Sequence, residues 1–152
     1  MVDALLARSY PVLLKPDYPP SVLVLALPII ARAQPRLIGS GRYFVVEDAA
    51  GTIVGAGGWS AGAPGGDATE PARAHIRHVV TDHRRVRQGV GRALIERVLA
   101  DARAEGAMVV DCLSTRTAVP FYQAMGFTPL GPRDVALRAG IVFPSIQMRR
   151  DL

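Results

Sequence analysis

The chain has 152 residues, of which 49% are hydrophobic and 20% charged, a composition typical of one folded domain and too short for two. The net charge of +5 favours an anionic ligand, although nucleic acid and acidic membranes are anionic too. The only cysteine, Cys112, excludes an internal disulfide framework. No stretch reads as a signal peptide or as long enough to span a bilayer. We therefore expect a single cytoplasmic domain over residues 1–152, without a membrane partner.

The first forty residues show the spacing of apolar residues that is typical of helices. One helix is predicted at residues 2–14 and a second from Ser21, a good N-cap, to about residue 33. Pro11 and Pro28 predict a kink or an end in each. Gly39-Ser40-Gly41 then ends the helical region.

A β-hairpin is predicted next. Residues 42–48 and 52–59 are strand-like and enclose a short polar turn. Residues 60–71 form a loop rich in glycine, proline and alanine, which we expect to be mobile and to shape, together with the N-terminal helices, the site of a second substrate. Trp59 and Ser60, at the start of this loop, are candidates for lining that site, with a structural role for Trp59 as the equal alternative.

Residues 72–81 form the third predicted strand. Its alternation is expected to place Ile76, His78 and Val80 on one side. His75 and His78 have opposite parity, so we expect them on opposite faces of the sheet. Only one of the two can then face a given cleft.

The second half contains the clearest helix, residues 91–105, which has one apolar face and a charged remainder. The other predicted elements, in order, are a buried strand at residues 107–113, a short helix at residues 117–125, and closing strands at residues 127–130, 135–137 and 141–148. This order predicts an α/β fold with a mixed sheet.

A glycine turn joins the third strand to the clearest helix. Gly89-Val90-Gly91 opens the helix, where unpaired backbone N–H groups and the positive end of the dipole favour phosphate. Four basic residues flank it, at positions 84, 85, 87 and 92, and a solvated basic turn is the alternative interpretation. A P-loop is excluded because Gly-Lys-Ser/Thr is absent, and a Rossmann turn is disfavoured because Asp111 is the only acidic candidate for a ribose partner.

A second motif follows, AVPFYQAMGF at residues 118–127. Together with RVRQGVGRALIERVL at residues 85–99, it resembles the GNAT superfamily of acetyl-CoA-dependent N-acetyltransferases, and the resemblance runs from about Arg42 to the C-terminus. It implies a three-layer fold with a central mixed, mostly antiparallel sheet that is splayed at the cofactor site. The family's first strand is apparently missing here, because the chain starts within the first helix. The resemblance and the missing strand together suggest a homodimer.

The resemblance also implies a binding site for acetyl-CoA. Backbone N–H groups of the turn would hold the pyrophosphate, and the preceding strand would pair with the pantetheine arm. The implied residues are Val79, Val80, Thr81, Val86, Arg87, Gln88, Gly89, Val90, Gly91, Arg92 and Ser114. Val86 and Arg87 depart from the family pattern, which a grip by backbone groups tolerates.

Tyr122 is the tyrosine that the resemblance implies as the acid for the departing thiolate. A phenol with a pKa of about 10 is a reasonable proton donor to a thiolate with a pKa of about 8.5 to 9. His75 and His78 are the candidate bases; His75 falls where the family's histone-acetylating branch has a glutamate. Weaker candidates are Glu70, Asp111 and Ser114, and catalysis by water in a polar cleft, without a single base, also stays open.

The sequence therefore predicts transfer of an acetyl group from acetyl-CoA to a small-molecule or peptide amine, by direct attack in a ternary complex. The alternatives are an acyl-CoA sensor without turnover and a basic nucleic-acid-binding α/β domain. Nucleic acid is disfavoured because the basic residues are not interleaved with exposed aromatic residues. A covalent route through Cys112 is disfavoured by its apolar surroundings, and no metal site is expected because ligand spacing is absent.

Overall fold

The computed structural model describes residues 2–61, 72–138 and 140–152. Its helices are α1 (Val2–Leu14), α2 (Pro20–Ile30), α3 (Pro35–Ile38), α4 (Val90–Ala104) and α5 (Val119–Ala124), and its strands are β1 (Tyr43–Glu47), β2 (Ile53–Ser60), β3 (Arg73–Thr81), β4 (Val109–Ser114), β5 (Thr128–Arg138) and β6 (Ile141–Asp151). A short 3-10 turn, His83–Arg85, lies between β3 and α4. The loop predicted at residues 60–71, and Glu70 with it, falls outside the described residues from position 62 onward.

The six strands form one sheet in the order β1-β2-β3-β4-β6-β5. Neighbouring strands are antiparallel except β3 and β4, which run parallel. Their ladder is short: it starts at Arg73 opposite Val109 and ends at His75 opposite Asp111. Beyond that point the two strands are unpaired with each other. The mixed, mostly antiparallel and splayed sheet is therefore confirmed, and in the described residues no strand precedes α1.

Helices cover both faces of the sheet and give three layers. On one face, α4 buries Ile95, Val98 and Leu99 in a cluster with Trp59 and Val110. This follows from the apolar stripe of α4, which recurs at helical spacing. On the other face, leucines of α1 and α2 pack in a second cluster against the sheet residues Ala56, Val80 and Phe143.

A β-bulge in β3 breaks the predicted alternation. Ala56 of β2 lies opposite Val80, but Gly58 lies opposite Arg77, so two residues of β3 share one position of β2. His78 has a φ of 54°, a value that residues other than glycine seldom adopt. Ile76 consequently packs with α4, whereas Val80 packs with α1 and α2. The prediction that these two residues share a side is wrong.

The same bulge overturns the prediction for the two histidines. Ala74 and Ile76 belong to the α4-side cluster, so alternation places His75 on the α1–α2 face. His78 reaches that face too, because its Nε2 lies 2.8 Å from the carbonyl oxygen of Ile30 at the end of α2. The expectation of opposite faces fails because period-two counting does not hold across a bulge.

Prolines lie inside several of the elements. Pro11 and Pro28 lie inside α1 and α2. The separate strands predicted at residues 127–130 and 135–137 form one strand, β5. Its register shifts between Pro129 and Gly131, and β5 is the edge strand, where a missing N–H costs no ladder bond. No helix of the described residues is both long and apolar enough to cross a membrane.

Candidate functional site

A cavity of about 920 Å³ opens where β3 and β4 separate, and we call it the β3–β4 cavity. The predicted site residues that line it are His78, Val79, Val80, Thr81, Val86, Arg87, Gly89, Gly91, Arg92, Ser114 and Tyr122. His75, Gln88 and Val90 are not among its lining residues. The fold thus brings the glycine turn, the end of β3 and the tyrosine of the second motif to one space.

The glycine turn leaves the first turn of α4 open at one end of the cavity. Gly89 is the N-cap of α4, with a φ of 82° and no side-chain hydrogen bond to the cap. Glycine is needed there because other residues are strained at positive φ. A Cβ on Gly91 would lie 3.0 Å from the ring of Phe121, so glycine also permits α5 to approach. The N–H groups at such a helix end are suited to an anion.

Asp82 fixes this turn to the rest of the molecule. Its side chain is fully buried. It accepts hydrogen bonds from the backbone N–H and guanidinium of Arg84, at 2.9 Å each, and from Arg8 of α1 at 3.0 Å. The hydrogen bond from the Arg84 side chain has the largest effect. Together these contacts hold the pKa of Asp82 well below its usual range. Sequence reasoning missed this residue, although an aspartate directly before a turn is a recognised capping signal.

The basic residues around the turn are partly neutralised within the chain. Arg84 is held by Asp82, and Arg85 donates to Asp48 Oδ2 at 2.9 Å. Arg92 lies 3.8 Å from Glu96 one helical turn further on. The site is therefore less positive than its sequence indicates, which weakens the case for a nucleic-acid surface.

Tyr122 lies buried in the cavity wall. Its ring packs edge-on against Phe121 and Phe127, with centroids 5.2 and 5.3 Å away. Burial raises its pKa well above the usual value, and a hydrogen bond with the Cys112 thiol adds to the rise. Burial also raises the pKa of Cys112 to about 12. The thiol is thus protonated at physiological pH, which argues against a nucleophilic role.

His78 lines the cavity, and one of its ring nitrogens has no hydrogen-bond partner. A carbonyl oxygen only accepts hydrogen bonds, so the 2.8 Å contact with Ile30 assigns the proton to Nε2. Nδ1 is then a lone-pair acceptor, and it is buried without a hydrogen-bond partner. Burial, helped by the charge of Arg77, lowers the pKa of His78. The ring is therefore neutral at pH 7, in the state that a general base needs.

The other candidate bases have structural contacts. The backbone of His75 lies opposite Ser60 and Asp111 in the sheet, and His75 does not line the cavity. Asp111 bonds with Arg73 at 2.9 Å and Arg149 at 2.6 Å. Burial alone would raise the pKa of Asp111, but the hydrogen bonds from the two arginines together outweigh it and lower the pKa. It is therefore a buried ion-pair partner.

Two further predicted positions make structural hydrogen bonds. Trp59 is buried under α4, and its Nε1 donates to Asp101 Oδ2 at 2.8 Å. It does not line the β3–β4 cavity, so its structural role is the correct interpretation. Ser114 does line the cavity, but its hydroxyl donates to the Thr115 carbonyl at 2.7 Å.

The other end of the cavity lies under α1 and α2, and sequence reasoning missed most of it. Tyr10 donates its hydroxyl to the Val79 carbonyl at 2.9 Å, and its ring lies 6.3 Å from that of His78. The apolar part of the wall is formed by Leu13, Leu14, Ile30, Val135, Leu137 and Phe143. No signal for Tyr10 exists in the sequence, since its contacts depend on how α1 packs across β3.

Across residues 2–61, 72–138 and 140–152, no group of three or more His, Cys, Asp or Glu side chains could hold a metal ion.

Comparison with known proteins gives a consistent result. A family model described as "Acetyltransferase (GNAT) domain" matches residues 25–151. No curated protein matches the chain in sequence. The same fold occurs in a GCN5-related N-acetyltransferase from Rhodopseudomonas palustris, with a TM-score of 0.78 and 18% identity over 99% of this chain and 88% of that one.

Two other similar structures were solved with ligands. An aminoglycoside 6'-N-acetyltransferase complexed with coenzyme A has a TM-score of 0.69 and 14% identity, over 99% of this chain and 88% of that one. A phosphinothricin acetyltransferase from Sinorhizobium meliloti in complex with AcCoA has a TM-score of 0.58 and 18% identity, over 76% of this chain and 64% of that one. At these identities the likeness concerns the fold.

Proposed function

Since the chain belongs to the GNAT acetyltransferase family, we propose that it transfers an acetyl group from acetyl-CoA to an amine by direct attack in a ternary complex. The observation that carries this proposal is the β3–β4 cavity. It joins an uncapped helix end to a protonated phenol and a neutral imidazole. These are the groups needed to hold a pyrophosphate and to move two protons.

The cavity residues fit acetyl-CoA. The N–H groups of α4 beyond Gly89 suit the pyrophosphate, and Gly89 itself has open space where a Cβ would stand. Val80 and Thr81 lie past the end of the β3–β4 ladder, so the edge of β3 that would face β4 can pair with the amides of the pantetheine arm. The Val79 carbonyl oxygen already accepts a hydrogen bond from the Tyr10 hydroxyl. The backbone groups of Val80 and Thr81 are therefore the better partners for the pantetheine amides.

The chain's own residues account for both proton movements. Acetyl-CoA supplies a thioester carbonyl that an amine nitrogen attacks, giving an amide and a free thiol. His78 Nδ1 accepts the proton from the attacking nitrogen, because it is the ring nitrogen without a hydrogen-bond partner and His78 lines the cavity. Tyr122 donates its hydroxyl proton to the departing sulfur. Its raised pKa keeps the phenol protonated until negative charge develops on the sulfur.

Calorimetric titration with acetyl-CoA tests the first half of the proposal, and thiol release with a panel of primary amines tests the second. We expect saturable binding of acetyl-CoA and amine-dependent release of thiol, with the acetylated amine identified by mass spectrometry. Binding without acetylation of any amine would indicate the sensor alternative. No binding at millimolar acetyl-CoA, together with salt-sensitive binding of DNA or RNA, would indicate the nucleic-acid alternative.

A further inference from the structure

The α1–α2 end of the β3–β4 cavity has an unusual balance of charge. No aspartate or glutamate lines the described cavity, while four arginines do, at positions 77, 85, 87 and 92. Arg85, Arg87 and Arg92 belong to the α4 end with the glycine turn. Arg77 is the cation of the opposite end, where the remaining wall is mostly aliphatic and aromatic.

Arg77 is held by neutral partners. Its guanidinium donates to Ser60 Oγ at 3.2 Å and to Gln34 Oε1 at 3.0 Å. Within the described residues it forms no ion pair with a carboxylate, unlike Arg73, Arg84 and Arg85. The side chain is half-buried, and burial lowers its pKa. A half-buried cation without a counter-ion is costly unless an anion joins it.

The β-bulge puts this cation next to the imidazole proposed as the base. In regular alternation, Arg77 and His78 would lie on opposite faces of β3. With the bulge, both reach the segment that joins α2 to α3, where Arg77 contacts Gln34 and His78 contacts Ile30. Their proximity is also seen in the effect of the Arg77 charge on the pKa of His78.

We propose that the amine accepted at this site also carries a carboxylate and an apolar group, an apolar α-amino acid being the simplest example. The carboxylate would pair with Arg77 while the amine nitrogen lies toward His78. The apolar group would pack on Leu13, Ile30 and Phe143. This inference rests on the proposed acetyl transfer and adds the class of acceptor.

The same features disfavour acceptors with several positive charges. A polyamine would bring ammonium groups into a cavity whose lining, among the residues that the structure describes, has cations and no carboxylate. Like charges at such distances repel, and the low polarity of the wall leaves little water to screen them. Electrostatic selection of this kind acts through rejection as well as attraction.

The test compares matched amines in the acetyl-CoA-dependent reaction. L-phenylalanine and phenethylamine differ only in the carboxylate, and spermidine represents polycations. We expect kcat/KM, corrected for the fraction of neutral amine, to favour L-phenylalanine over phenethylamine by at least about 30-fold, as for a partly desolvated charge pair. Spermidine should be the poorest substrate.

Arg77→Gln should reduce this preference to less than about threefold by slowing the reaction of L-phenylalanine alone, since the pair is the source of discrimination. Acetyl-CoA affinity, measured by calorimetry, should be unchanged. Arg133→Gln is the matched control, because Arg133 also donates to a glutamine, Gln147 at 3.4 Å, but is exposed and does not line the cavity. It should retain the wild-type preference.

Equal or better use of phenethylamine or spermidine by the wild-type protein would overturn the acceptor class while leaving acetyl transfer intact. So would an unchanged preference in a folded Arg77→Gln variant. If no amine is acetylated although acetyl-CoA binds, titration of L-phenylalanine into the protein saturated with coenzyme A decides: absence of binding overturns the inference. Failure of acetyl-CoA itself to bind would instead refute the function on which the inference rests.

Discussion

The two ends of the β3–β4 cavity are built from different parts of the chain. At the α4 end, backbone groups dominate: the glycine turn, its positive φ values and the open first turn of the helix. At the α1–α2 end, side chains dominate: Tyr10, Arg77 and His78 are each fixed by a hydrogen bond. A backbone site depends on conformation and tolerates changes of side chain, whereas a side-chain site depends on residue identity. A cofactor held by the backbone of the turn, as proposed, would tolerate the departures of Val86 and Arg87 from the family pattern.

His78→Gln should give the largest effect, because it removes the proposed proton acceptor. We expect kcat to fall by about 100-fold to 1,000-fold, the usual contribution of a positioned base, with acetyl-CoA affinity within twofold of wild type, about the resolution of the measurement. Steady-state kinetics and calorimetry measure the two quantities. His75→Gln provides the comparison, since His75 does not line the cavity. A large loss of kcat in His75→Gln, without such a loss in His78→Gln, would identify His75 as the base instead.

The pH profile sharpens the same prediction. Burial lowers the pKa of His78 below its usual 6.5, so the neutral form persists at pH values where an exposed histidine is already protonated. Activity should therefore hold down to below pH 6.5 and fall as the pH drops through the lowered pKa. The unfolded chain binds this proton at a higher pH than the folded chain does. The contribution of neutral His78 to the free energy of unfolding is therefore present above pH 6.5 and is lost as the pH falls. The acidic limb of the rate profile should be absent in His78→Gln.

Tyr122→Phe should reduce kcat by about 10-fold to 100-fold and change the affinity for acetyl-CoA much less, because the hydroxyl acts on the departing sulfur. Tyr18→Phe is a suitable control. Tyr18 is also buried, and its hydroxyl donates to the Pro144 carbonyl at 2.7 Å, but it does not line the cavity. Equal turnover of Tyr122→Phe and wild type would remove the acid role.

Gly89→Ala should weaken acetyl-CoA binding by about 10-fold, because a residue with a Cβ resists the positive φ that opens the end of α4. Gly106, just past the other end of α4, also has a positive φ and open space at its Cβ position. Gly106→Ala should cost a similar stability, about 1 kcal/mol, and leave binding unchanged. Thermal unfolding and calorimetry separate the two effects. Parallel losses of affinity in both variants would argue against a site at the turn.

Arg84→Gln and Arg85→Gln should have the smallest effects, below about threefold on acetyl-CoA affinity at physiological salt, as for exposed charges that are already paired. Asp82 and Asp48 neutralise these arginines in the folded chain. Larger losses of acetyl-CoA affinity, with a steep dependence of binding on salt, would show that side-chain charges rather than backbone N–H groups bind the cofactor.

The α4 end could be predicted from the sequence, and the α1–α2 end could not. The stripe on α4 and the glycines before it are local signals, since each depends on neighbours within a few residues. Tyr10 and Val79, by contrast, are far apart in the chain and meet through packing. The contact between His78 and Ile30 depends on a bulge that pairing with β2 creates. Likewise, β5 is continuous across Gly131 because it pairs with β6, which no local pattern indicates.

The bulge in β3 also shifts the alternation of side chains within one strand by one residue. Residues before it and after it obey the same period of two, but each series is offset from the other by one position. A deletion of one residue at this point would bring the two series back into step. Val80 would stay on the face of α1 and α2, because its pairing with Ala56 and that of Arg77 with Gly58 would both be kept. The extra residue of the bulge therefore leaves the faces of its neighbours unchanged and adds one position to the strand, which His78 occupies with its positive φ.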